Sequence, residues 1–206
     1  MPRNSGKAIA SLVLGIFPVV PLVGTILAIV FGHMARAEIR RSGGRLKGDG
    51  MALAGLILGY GVPVMILIIA AIAIPNLLKS KMAANQASAV ASLRTLNTSE
   101  ITYASTFNVG YSSSLAQLGP PASGDASSTA AGLIDSVLAT GDKSGYSFIY
   151  TADLAGSSGR TNSYTIIAVP VSPGQTGQNY YFTDETNVIR QNTQSTASAS
   201  DSPIGR

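Results

Sequence analysis

Few residues in this chain could do chemistry. There is one histidine, His33, and no cysteine, which excludes disulfides, thiolate metal sites and a cysteine nucleophile. A histidine-dependent mechanism would have to use His33, which closes a long uncharged stretch and reads more simply as a wetted interfacial residue. Asp135, Asp142, Asp153, Asp184 and Glu185 are scattered, mostly at turns, and no pair has the spacing of a metal loop. Asp184-Glu185 reads as turn chemistry rather than a calcium site. No Gly-x-Ser-x-Gly elbow occurs. Gly156-Ser157-Ser158-Gly159 and Gly174-Gln175-Thr176-Gly177 read as turns between strands, because neither has the helix that a phosphate loop requires. Asn97-Thr98-Ser99 fits a glycosylation pattern but falls inside a helical pattern, where chance explains it. These residues predict no enzyme, no cofactor, no metal and no small-molecule substrate.

Charge is segregated. Residues 1–50 carry seven basic side chains against two acidic ones, a balance of +5, and residues 51–206 carry seven against eight, a balance of −1. A pI near 9.5 would ordinarily suggest nucleic acid. Here the excess flanks apolar segments and the polar remainder is nearly neutral, so no nucleic-acid partner is expected.

The apolar weight lies before Leu78 in two runs. Ala8 to Met34 is uncharged over 27 positions and contains Pro18 and Pro21; Met51 to Leu78 is uncharged over 28 and contains Pro63 and Pro75. At 1.5 Å per residue each exceeds the roughly 30 Å hydrocarbon thickness of a bilayer, and membrane helices tolerate proline kinks. A break at Pro18 and Pro21, with re-entry, is the alternative for the first run. Two spans are therefore expected, as an integral membrane hairpin. The intervening loop holds Arg36, Arg40, Arg41, Arg45 and Lys47 and is placed in the cytoplasm, with both termini outside. A cleaved signal peptide, with Arg3 and Lys7 as its charged start and a site near Ala35-Arg36-Ala37, is disfavoured by the length of the apolar run. Gly55 and Gly59 have small-xxx-small spacing, which lets helix backbones approach closely; packing within the hairpin is favoured over a dimerisation face.

After Asn76 the helical pattern continues without Gly or Pro. Leu78, Met82, Ala89, Leu93, Leu96, Ile101, Ala104 and Phe107 form one apolar stripe, opposite Lys79, Lys81, Gln86, Arg94 and Glu100. Asn108-Val109-Gly110 is the predicted stop, with Gly110 in the left-handed cap. A short helix is predicted over Ala131–Ala139. Strands are predicted at Tyr146–Thr151, Ser163–Val169 and Tyr180–Thr183, with a shorter partner at Val188–Arg190 and a tight turn over Asp184-Glu185-Thr186-Asn187. Residues 191–206 are almost free of apolar side chains and read as a disordered tail.

Ala71-Ile72-Ala73-Ile74-Pro75-Asn76-Leu77-Leu78, continuing through Lys79-Ser80-Lys81-Met82 and Ala89-Val90-Ala91-Ser92-Leu93-Arg94, resembles the N-terminal spine of type IV pilin-like and pseudopilin-like proteins. The resemblance covers roughly residues 66–190, and Ile74, Pro75 and Asn76 carry its most specific part. It implies one long helix packed on a small antiparallel sheet. The chain departs from that family at the processing site: counting back from Pro75, the mature start falls near Ala54 and the family's glutamate falls at Leu58, and neither signature is present. Residues 7–62 instead resemble a small two-helix membrane domain of unknown function found in bacteria, carried by Lys7-Ala8-Ile9-Ala10-Ser11-Leu12 and Gly50-Met51-Ala52-Leu53-Ala54-Gly55.

The organisation expected is thus a membrane-anchored α+β protein. Residues 1–50 form the first span and basic loop, 51–78 the second span, 79–190 a pilin-like domain with three to four strands, and 191–206 the tail. The resemblance implies residence in a bacterial inner membrane, with the C-terminal domain facing the periplasm or cell exterior. It also implies action through protein partners in the envelope, a type IV pilus or type II secretion assembly among them. An anchored sensor or adhesin domain with no filament role is the alternative.

Overall fold

A computed structural model of the chain describes residues 3–16, 21–155 and 160–205, with the backbone alone at 21, 22, 154 and 155. Pro18 and the expected turn at Gly156–Gly159 lie outside the described residues. The chain divides into two compact units, Met1–Asn76 and Leu77–Arg206.

The first unit is helical. Strand β1 (Arg3–Asn4) precedes α1 (Gly6–Ile16) and α2 (Pro21–Arg41); β2 (Leu46–Lys47) leads into α3 (Asp49–Phe107), which runs on into the second unit. Pro21 opens α2, the one helical position where a missing N–H costs nothing. Helices α1 and α2 lie side by side and antiparallel. Ser11 Oγ donates to the carbonyl of Ala28 at 2.8 Å, and Lys7 pairs with Glu38 at 3.1 Å. This corrects the expectation of a two-span hairpin. The first run is two short helices rather than one long one: α1 rises about 16 Å, and the uncharged part of α2, up to Met34, about 21 Å. Among the described residues only α3 is long and apolar enough to cross a membrane.

The start of α3 packs against both. Ala8, Ala28, Ala35, Ala52, Ser11 and Thr25 are buried, while Ile9, Val13, Val23, Ile26, Val30 and Ile57 point outward. From Val64 to Leu77 the apolar side chains of α3 are exposed around the helix, with only Ala70 half-buried.

The second unit is α+β. A five-stranded antiparallel meander has the order β3 (Asp142–Lys143), β4 (Tyr146–Ala155), β5 (Arg160–Pro170), β6 (Tyr180–Asp184), β7 (Arg190–Asn192). Ala89, Leu93, Leu96 and Tyr103 of α3 pack on Tyr146, Phe148, Tyr164, Ile166, Ala168 and Tyr181 of the sheet. Two short helices, α4 (Leu115–Leu118) and α5 (Ser136–Ala139), fill the end of this core with Leu118 and Leu138.

The three main strands form where their alternation placed them, each longer than expected. The fifth strand, β3, has two residues, too few to show a period. The last strand is displaced from Val188–Arg190 to Arg190–Asn192. The short helix is confined to Ser136–Ala139, because Asp135 caps it through Leu138 N–H at 2.9 Å while the N–H groups of Ala131, Gly132 and Leu133 donate to the carbonyls of Gln117, Gly119 and Leu118. Helix α3 ends at Phe107, and Asn108 (φ 54°) takes the left-handed position ahead of Gly110 (φ 89°). Gly110 is needed for another reason: a side chain there would strike the Thr161 carbonyl.

The tail is also corrected. Residues 191–205 are not free: Gln191 N donates to Ser202 O at 3.0 Å, Ile204 N to Ile189 O at 2.9 Å, and Ala197 is buried. Asp201 organises this return. It accepts from Ser198 N at 2.7 Å and Asn192 Nδ2 at 2.9 Å, and those bonds hold its carboxyl below the usual range. A segment poor in apolar residues can be held by backbone bonds to an existing strand edge, which composition does not register.

Candidate functional site

Two places combine unusual residues with close geometry: the seam of the first unit and a buried polar cluster in the second.

In the seam, Gly55 lies against α1 so closely that a Cβ would come within 2.7 Å of the Ser11 carbonyl carbon. A Cβ on Gly59 would come within 2.8 Å of Ile29, and one on Gly32 within 2.6 Å of Leu56. These glycines let three helices meet at backbone distance. His33 sits at the rim, with Nε2 3.3 Å from the Tyr60 hydroxyl.

The basic residues of the loop are brought together with the N-terminal ones. Arg36 bonds Asp49 at 3.1 Å. Arg40 and Arg41 close α2, where cations complement the helix dipole. Arg45 Nε donates to Ser42 O at 3.2 Å, and Lys47 pairs with Asn4 across the β1–β2 ladder, with Arg3 opposite Leu46. That pairing is incompatible with the expected placement of the N-terminal tail and the loop on opposite sides of a membrane. Ile74, Pro75 and Asn76 lie within α3, exposed, at the border of the two units.

The second cluster was hidden in the sequence. Glu100 was expected on the solvent face of the spine; it is fully buried. It lies seven residues after Leu93, four after Leu96 and three before Tyr103, which is the buried face, whereas Ile101 is one step around the helix and is 52% exposed. The Glu100 carboxylate accepts from Ser112 N at 2.9 Å and Ser112 Oγ at 2.6 Å. Tyr150 donates to the Ser112 carbonyl at 2.8 Å and stacks on Tyr164, with ring centroids 5.9 Å apart. Asn97 Nδ2 donates to Thr183 Oγ1 at 2.9 Å, and the Tyr164 hydroxyl donates to Asn97 Oδ1 at 3.2 Å.

Among the described residues no cation pairs with Glu100. Burial raises its pKa, and the Ser112 bonds pull it back only in part. The Tyr150 and Tyr164 hydroxyls are pushed up by burial first and then by the Glu100 charge. With Glu100 and Ser112 both sealed from solvent, the cluster can tie α3 to the 108–114 segment and the sheet, but it cannot touch a substrate. A shallow groove of about 420 Å³ runs past Tyr103, Tyr111, Gln117 and Thr161; its Tyr103 hydroxyl already donates to Ser128 O at 2.6 Å. Among the described residues no group of His, Asp and Glu could hold a metal ion.

No curated protein and no solved structure matches the chain. Residues 7–74, the apolar segment that ends within the exposed stretch of α3, match the family described as Domain of unknown function (DUF4190).

Proposed function

We propose that the chain is a non-enzymatic, pilin-like protein anchored in a bacterial inner membrane. Helix α3 crosses the bilayer once, through the uncharged stretch Met51–Leu78, and carries the C-terminal α+β unit outside the cytoplasm. That unit works through protein contacts with a type IV pilus or type II secretion assembly.

One observation carries this reading. The same unbroken helix is apolar and exposed on all sides from Val64 to Leu77, then buries one face under an antiparallel sheet from Met82 onward. The first property suits lipid and the second suits a water-soluble domain. The basic end supports the orientation: all seven Lys and Arg of residues 1–50 precede the span, against Lys79 and Lys81 after it.

A second reading, an anchored sensor or adhesin domain without a filament role, is favoured by Leu58. It stands where the resemblance places a glutamate, and its Cβ lies 3.1 Å from where a Cβ on Gly15 would be. The position is taken up by packing within the chain.

Intact mass of the protein from native membranes, together with cross-linking in the membrane against pilus and secretion subunits, tests the proposal. A full-length mass with a reproducible cross-link to a named subunit of such an assembly supports it. A full-length mass with no such cross-link favours the sensor or adhesin reading. Loss of everything before Ala54 would replace the permanent anchor with ordinary pilin processing.

A further inference from the structure

Given the membrane location proposed above, we infer that α1 and α2 form a re-entrant wedge in the cytoplasmic leaflet whose basic rim binds anionic phospholipid headgroups. Three observations lead there.

The first is length. Neither α1, at about 16 Å, nor the uncharged part of α2, at about 21 Å, reaches across a hydrocarbon core of about 30 Å. The pair is antiparallel, as the Lys7–Glu38 and Ser11–Ala28 contacts require, so an excursion into the membrane returns to the side where it began.

The second is the distribution of polarity. The outward face carries Ile9, Val13, Val23, Ile26, Val30 and Met34, while alanine, serine and threonine lie inside. In the interior of each helix the backbone groups bond within the helix, as lipid demands.

The third is the rim. β1 and β2 pair in parallel, and Ser5 N donates to Lys47 O at 2.9 Å, which gathers the charges of both ends of the hairpin into one band. Seven cations stand there. Lys7 is paired with Glu38 and Arg36 with Asp49, which uses both acidic groups. Arg3, Arg40, Arg41, Arg45 and Lys47 have no carboxylate partner among the described residues. Five unneutralised cations directly above an apolar wedge complement phosphate-bearing headgroups.

The chain lacks cysteine, so single-cysteine variants of the full-length protein report cleanly. Asn4→Cys, Gly50→Cys and Ser113→Cys are exposed positions, and Gly50 has open space around it. In cells and inverted vesicles, an impermeant maleimide is expected to reach Asn4→Cys and Gly50→Cys only from the cytoplasmic side and Ser113→Cys only from outside. Reaction of Asn4→Cys from outside, with Gly50→Cys still inside, overturns the wedge and leaves the anchoring intact. Reaction of Ser113→Cys from the cytoplasm instead overturns the orientation proposed for the whole chain.

For the lipid, a donor fluorophore on Gly50→Cys is placed in vesicles of an equal mixture of phosphatidylcholine and phosphatidylglycerol, each in turn carrying a headgroup acceptor. Several-fold stronger transfer to phosphatidylglycerol is expected, falling to parity in high salt and in the R40Q/R41Q/R45Q/K47Q variant, and retained in R40K/R41K/R45K. Parity in the unaltered protein at low salt overturns the headgroup assignment. Should the glutamine variant fail to insert, the salt series on the unaltered protein decides.

Discussion

The two units of this chain are built with opposite polarity. The second buries Tyr146, Tyr164, Leu93, Leu96 and Ile166 and turns its charge outward, Glu100 excepted. The first buries alanine, serine and glycine and turns isoleucine and valine outward. Water drives the second unit's arrangement through burial of large apolar area, at about 25 cal/mol per Å². In lipid that drive vanishes, and helices cohere by close approach of small residues. With the membrane placement proposed above, one α-helix passes from one solvent's rules to the other's within a few turns.

Leu93→Ala removes a fully buried side chain from the core of the second unit and should cost about 2–5 kcal/mol in its unfolding, leaving hydrogen exchange in residues 6–41 unchanged. Ile68→Lys and Ile149→Lys replace side chains of similar exposure, 57% and 51%. The first should oppose membrane insertion by about 2.5–3.5 kcal/mol in an insertion assay, the translocon cost of a charge at a helix centre. The second should change unfolding of its unit by no more than about 0.5 kcal/mol, as surface changes in water do. Equal costs would erase the contrast. Gly55→Leu should weaken the first unit by about 1–3 kcal/mol, because α3 can no longer lie against Ser11, and faster exchange in α1 and α2 would register it.

The smallest effect is a slope. Because the folded pKa of Glu100 is raised above 4.5, the group favours the folded state below that pH and loses this contribution as pH rises through the folded pKa. Glu100→Gln should therefore match the unaltered protein in acid, exceed it in stability at neutral pH, and flatten the pH dependence of urea unfolding between the two.

Much of the second unit was legible. Val169, Ile167 and Thr165 alternate with Ala168, Ile166 and Tyr164 as a half-buried strand must, and the spine's stripe ran true from Met82 to Leu96. After Leu96 hydrophobicity and helical angle part company: apolar Ile101 faces outward and charged Glu100 inward, one residue out of phase with the apolar pattern. A helical count from Leu93 would have placed Glu100 inside, and the short hop to Ser112, beyond Gly110, is the only local hint of its partner. The split of the first run was visible in Pro18 and Pro21 as an alternative, but apolar length favoured one helix. The pairing of Arg3 and Asn4 with Leu46 and Lys47, beside the Lys7–Glu38 contact, brings both ends together, and no periodicity encodes a two-residue ladder.

The return of residues 201–204 along β7 has a consequence for what can join the sheet. Arg190 faces Pro203 in an isolated bridge, so the outer edge of the last strand is occupied by the chain itself, and its cap includes a residue with no N–H to offer. The opposite edge, β3, is two residues long. Open edges invite strand addition and fibril growth, and at β7 the edge is closed, whereas β3 pairs only with Tyr146 and Ser147 of the ten-residue β4. A partner strand would then be admitted on the β4 side alone, and a protease that trims residues 201–204 would open the second side as well.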